Sequence, residues 1–294
     1  MKNISIIFSL LIAVIIAIFV FPFYNPNGQI TDNRLSVAVT IYPTYDIVKN
    51  IGGDKINLNQ IIPFGQEPHS FEPTPRDIIN ISNSKLFIYT GLAVDSWAID
   101  LGDIAKKRKK FIKLSEVSEI VKNDPHFWLD IDNFKKMANL IANRLIKLDS
   151  NNEISYQENL SIYLAKLEKL DSAYKEQLGN CEIHSVIVNH NAFQYLARRY
   201  DFKTFPIMGI SPDDKPSAKV LAEIVDLVKE RNISTLFFEE LASSRVIETV
   251  AKETGIQIDS LSPFGNIPQN EIQTGYINLM YQNLEKLKKA MSCQ

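Results

Sequence analysis

The chain is short of histidine and cysteine and carries almost no net charge. It has 4 histidines and 2 cysteines among 294 residues, and its 32 basic against 34 acidic residues give a formal net charge of -2. Nucleic-acid binders declare themselves by a strong basic excess; its absence here argues against a nucleic-acid partner. The one basic cluster, "KKRKKFIK" at residues 106–113, reads as a solvated helix or loop. Two cysteines, Cys181 and Cys293, permit one bridge at most, and neither stands in a CxxC-like spacing suited to thiolate zinc. In an exported chain they could pair, but sequence leaves open whether they come within reach. With so few histidines, each is a candidate for a specific task.

Long apolar runs are also scarce, with one exception. From Ile4 to Tyr24 the sequence is uncharged and apolar, following Lys2, and is long enough to cross a bilayer. "FVFPFYNPN" offers no small-x-small cleavage site, and no cysteine follows that a lipid could modify. The expectation is an uncleaved anchor in preference to a cleaved signal; either would export the remainder to the extracytoplasmic side. Residues 25–34, "NPNGQITDNR", read as a linker.

Beyond the linker, short apolar runs alternate with helical patterns. Strands are expected at residues 35–42, 56–65 and 85–91, and again at "SVIVNH", "KTFPIMG", "ISTLFFEE" and "IQIDSL". Helices are expected in "PTYDIVKNIGG", "DIDNFKKMANLIANRLIKL", "AFQYLARRY", "SAKVLAEIVDLVKERN" and "SSRVIETVAKETG", with a last one from about Ile272. Residues 152–178 contain no proline or glycine and repeat apolar positions at three and four, the pattern of one long central helix. Such alternation predicts an α/β fold of two lobes with mainly parallel sheets, joined by that helix, with a cleft between them. The expected divisions are residues 1–34 for anchor or signal and linker, 35–151 for the first lobe, 152–180 for the connecting helix and 181–294 for the second lobe.

Three histidines fall at strand ends or loops. His69 stands in the proline-stiffened "PFGQEPHSFEPTPRD", His126 in "NDPHFWLDIDN", and His190 at the end of "SVIVNH". Ligands in open α/β sheets gather at the carboxyl ends of strands, and three imidazoles meeting at one point supply most of a tetrahedral zinc site. Spacing alone does not require that they meet. His184, in "CEIHSVI", reads as the solvent-facing start of a strand.

"GQEPHSFEPTPRD", "DPHFWLD", "NHNAFQYLARRY" and "GISPDDKPSA", in that order, resemble the zinc/manganese solute-binding proteins of ABC transporters from Leu35 onward. The resemblance implies metal held between two lobes by His69, His126 and His190. It also implies transfer of the ion to a membrane permease by a monomeric protein that is not an enzyme. Three imidazoles favour zinc as cargo, with manganese or another divalent transition metal as the alternative.

Two departures from the family stand out. Where that family often has L-D-P-L-G, this chain has "LSPFG", so Ser262 replaces an aspartate ligand, and Gly265 stands where some zinc-binding relatives carry a glutamate. The fourth ligand is then water, Glu239, Glu240 or Asp259. The segment before His126 also lacks the His/Asp-rich insertion of many zinc-specific members. Two other functions fit the same residues. One is a zinc-dependent hydrolase with an open water position and Glu239 or Glu240 as base; the other is a metal-stabilised adhesin.

Overall fold

A computed structural model describes residues 33–105, 111–122, 124–239 and 245–294. The N-terminal apolar run, residues 106–110 of the basic cluster, and Glu240 lie outside them. Among the described residues, no helix is long and apolar enough to cross a membrane.

Two four-stranded sheets make up the fold. The first comprises β1 (Leu35–Val39), β2 (Ile56–Gln60), β3 (Leu86–Tyr89) and β4 (Phe111–Lys113) in the order β2-β1-β3-β4. The second comprises β5 (Ser185–Val188), β6 (Lys203–Pro206), β7 (Thr235–Phe238) and β8 (Gln257–Ser260) in the order β6-β5-β7-β8. Every pairing is parallel. The inner strands "LFIY" and "SVIV" are buried at every residue, as expected of strands covered on both faces. The helices are α1 (Tyr42–Gly52), α2 (Pro75–Asn83), α3 (Trp97–Ala105), α4 (Ile131–Leu148), α5 (Glu153–Leu178), α6 (Gln194–Arg199), α7 (Ala218–Glu230), α8 (Arg245–Thr254) and α9 (Tyr276–Ala290). The α/β architecture, the parallel sheets and the long central helix are thus as the sequence pattern implies.

Several elements differ from the periodicity-based expectation. Residues 111–113 are not part of a solvated helix or loop: they form edge strand β4, with Ile112 buried and the Phe111 ring edge-on to Phe87 at 5.3 Å between centroids. Helix α2 lies inside the proline-rich stretch, where Pro75 takes the first turn and Thr74 and Asp77 form a reciprocal capping box. The last helix begins at Tyr276 instead of near Ile272, because Gly275 at φ 79° turns the chain into it.

Helix α5 is 26 residues long, roughly 39 Å at the standard rise. It packs against α1, α4 and α9, and two buried carboxylates fix neighbouring elements to it. Asp46 of α1 accepts from Tyr163 Oη of α5 at 2.5 Å and from Tyr276 N of α9 at 3.1 Å. Asp171 of α5 accepts from Arg199 Nε at 2.6 Å, Lys175 Nζ at 2.6 Å and Tyr200 Oη at 2.9 Å. Burial alone would raise Asp171, but these hydrogen bonds outweigh it and hold the carboxyl well below the usual carboxylate range.

Cys181 and Cys293 form a disulfide across 112 residues of sequence, tying the end of α9 to the chain just before β5. Replacing both by serine is expected to lower unfolding stability by roughly 2–4 kcal/mol through the freer unfolded chain. Urea unfolding of the oxidised wild type and the double variant measures this; coincident transitions would contradict it.

Candidate metal centre

Three loops at the carboxyl ends of strands build the centre. After β2 the chain runs through Gly65, at φ 83°, whose N–H donates to Ile267 O at 2.8 Å. Glu67-Pro68-His69 follows, with His69 N donating to Glu67 Oε1 at 2.9 Å. The second loop repeats the device. In Asp124-Pro125-His126, the His126 N–H donates to Asp124 Oδ1 at 3.0 Å, and the ring Nδ1 lies 2.7 Å from the same oxygen. Proline between acid and histidine restricts the preceding residue and closes the short turn. His190 follows β5 by two residues, and its Nδ1 is hydrogen-bonded to Glu239, immediately after β7.

The structure brings together all three histidines named from sequence. His126 Nε2 lies 3.2 Å from Nε2 of both His69 and His190, and one ring nitrogen from each falls within 4.8 Å of the others. His126 and His190 are each 1% exposed, and His69 is partly buried. His184 is exposed before β5 and takes no part. Trp128 stands edge-on to His126 with centroids 5.3 Å apart. Its indole donates to Pro263 O at 2.7 Å, and its own carbonyl accepts from Tyr276 Oη at 2.6 Å. Tyr195 Oη donates to Asp124 O at 2.9 Å and accepts from Val121 N at 2.8 Å.

The electrostatics suit a cation. Burial first, then neighbouring His126 and His190, push His69 down to about 2; burial likewise holds His126 well below its ordinary value. Burial would also lower His190, but the charge and hydrogen bond of Glu239 outweigh it and hold that imidazole above the ordinary histidine value. Burial pushes the carboxyls of Glu67 and Asp124 each up to about 7. Two buried acceptors beside the rings, Asp124 Oδ2 and Asn189 Oδ1, find no hydrogen-bond partner among the described residues. A neutral His126 donating Nδ1–H to Asp124 presents its Nε2 lone pair inward. A divalent ion at the three nitrogens would use those lone pairs and offset the surrounding carboxylates.

A cavity of about 60 Å³ adjoins the rings; Glu67, Glu239, Trp128, Ser262 and Gly265 line part of it. The candidates for a fourth ligand separate here. Glu239 is engaged with His190 Nδ1. Asp259 is absent from the cavity wall and caps Ser260 N at 2.7 Å. Ser262 Oγ accepts from Phe264 N at 3.2 Å. Periodicity and motif matching overlooked Glu67 and Asp124, although the repeated acid-Pro-His pattern could have found both.

Two parallel α/β halves, a long joining helix and a histidine cluster at the strand ends define a solute-binding scaffold. A family model described as "Zinc-uptake complex component A periplasmic" matches residues 37–290. The high-affinity zinc uptake system protein ZnuA of Bacillus subtilis is 34% identical over 281 residues, 88% of each chain. The manganese ABC transporter substrate-binding lipoprotein scaA of Streptococcus gordonii is 30% identical over 285 residues, covering 89% of this chain and 90% of that one. The crystal structure of the Zn(II)-bound ZnuA-like domain of Streptococcus pneumoniae AdcA is similar with a TM-score of 0.78 at 33% identity, over 88% of this chain and 99% of that one. This chain belongs to the zinc-uptake complex component A family.

In the metal-free protein, nitrogen-15 imidazole spectra are expected to place the titration of His190 above the ordinary histidine value. Glu239→Gln should bring it down, because the charge that favours the imidazolium is removed. A His190 titration indifferent to that substitution would contradict the assigned pairing.

Proposed function

We propose that the protein captures a divalent transition metal outside the cytoplasmic membrane, with zinc as the preferred ion, and delivers it to an ABC permease. His69, His126 and His190 are the proposed ligands, and the protein acts as a monomer that binds without catalysing. On this reading residues 35–151 and 181–294 are the working halves, 152–180 their connector and 1–34 the anchor or signal and linker.

One observation carries the proposal: three imidazoles of low exposure turn ring nitrogens to a common point, while Nδ1 of His126 and of His190 is committed to a carboxylate behind it. Nitrogen-rich donor sets suit zinc better than manganese, which prefers oxygen. The manganese-named relative keeps the alternative ion in the test. The hydrolase reading needs a base; of the two nominated from sequence, Glu239 has Oε1 on His190 Nδ1 and Glu240 lies outside the described residues.

Competition titration of the fragment from Gln29 onward should give one equivalent of zinc, weakened at least tenfold by each single His→Ala substitution. Affinity should fall on acidification once His190 takes up its proton. Because that histidine's pKa is raised, the loss begins at a higher pH than for an ordinary histidine, and Glu239→Gln shifts its onset to lower pH. Absence of stoichiometric metal, or binding indifferent to all three substitutions, would overturn the proposal. Tighter binding of manganese than zinc would overturn the choice of ion alone.

A further inference from the structure

His126 and His190 come from loops 64 residues apart, and one side chain ties those loops together. Tyr195 stands on α6, just after His190, and is fully buried. Its hydroxyl donates to Asp124 O at 2.9 Å and accepts from Val121 N at 2.8 Å, while Asp124 N donates to Val121 O at 2.8 Å. A phenol can donate and accept at once, so a single oxygen pins both residues of the turn that leads into His126. Asp124 carries the constraint onward, because its Oδ1 meets both the N–H and the Nδ1 of His126. Asp124 Oδ2 has no hydrogen-bond partner among the described residues. With no bond steadying the far side of the carboxylate, its placement depends on the backbone that Tyr195 holds.

The base from which Tyr195 reaches is itself fastened. Helix α6 has only 6 residues, too few to persist alone, and is held from outside. Arg199 donates to Asp171 of α5 at 2.6 Å through Nε and to Asp132 of α4 at 2.7 Å through Nη1. Tyr200, directly after the helix, donates to Asp171 at 2.9 Å. We infer that Tyr195 is a positioning residue of the centre: its hydroxyl holds the His126 loop to the helix that follows His190, so the two rings keep their pairing before any ion arrives. The consequence for affinity rests on the metal-binding reading above. Donors set in advance bind more tightly because less has to be ordered on binding.

Tyr195→Phe keeps the ring and removes both hydrogen bonds. Zinc affinity in competition titration is expected to fall about ten- to a hundredfold, the range typical of groups that orient metal ligands. In the metal-free protein, the His126 Nδ1 proton held by Asp124 should exchange with water roughly tenfold faster, followed by nitrogen-15-edited NMR. Tyr156→Phe breaks a bond to Asp149 at the start of α5 and controls for general loosening; both readouts should stay at wild-type values. Unchanged zinc affinity in Tyr195→Phe would overturn the inference. So would weakened affinity with the His126 proton exchanging at the wild-type rate, or equal changes in Tyr156→Phe. Failure of the wild type to bind zinc would refute the proposed function instead, and the exchange comparison, made without metal, would still decide the role of Tyr195.

Discussion

Three imidazoles with little or no access to water, Nε2 of His126 lying 3.2 Å from Nε2 of each of the other two, are the demand that the rest of the structure answers. Burial disfavours protonating all of them, and lone pairs aimed at one point gain nothing from each other. The arrangement persists because each histidine is anchored from outside: His69 by its backbone to Glu67, His126 by backbone and ring to Asp124, and His190 by its ring to Glu239. Those carboxylates are in turn expensive to bury. A cation at the three nitrogens would offset both costs at once.

The scaffold makes such convergence possible by distributing the anchors over rigid parts. Parallel sheets put the ends of β2, β5 and β7 on the side where the histidine-bearing loops cluster. Helix α5 reaches both sheets' partners through Asp46 and Asp171. The two halves are also stitched near the centre: Tyr42 N donates to Gly265 O at 3.2 Å, and Asn266 Nδ2 donates to Pro63 O at 2.6 Å and Gln66 O at 2.8 Å. Residues 263–267 come late in the chain yet bond chiefly to the first half. The loop carrying His69 is therefore supported from outside its own lobe.

Much of this could be read from residue order. The inner strands are apolar runs such as "LFIY", and α5 lacks any breaker, so both were legible. So were the three histidines, since scarcity and strand-end placement singled them out before the motif resemblance did. What escaped was short or edge-like. Helix α2 hid among prolines that normally mark loops, and only its capping box gave it away. Strand β4 has three residues beside a run of lysines and arginines, too few for a period to register. The disulfide depended on two cysteines distant in sequence being brought together by α9. The carboxylate behind His190 comes from another strand end altogether, a pairing that no local spacing encodes. Asp124 and Glu67, by contrast, were within reach as an acid two residues before each histidine.

The stitching of residues 263–267 to the first half makes the centre asymmetric. His69 and His126 follow strands of the first sheet; His190 alone follows a strand of the second. The three rings therefore do not share one support: the 263–267 stitches bear on the loop that carries His69, while His190 is fixed through Glu239 at the end of β7.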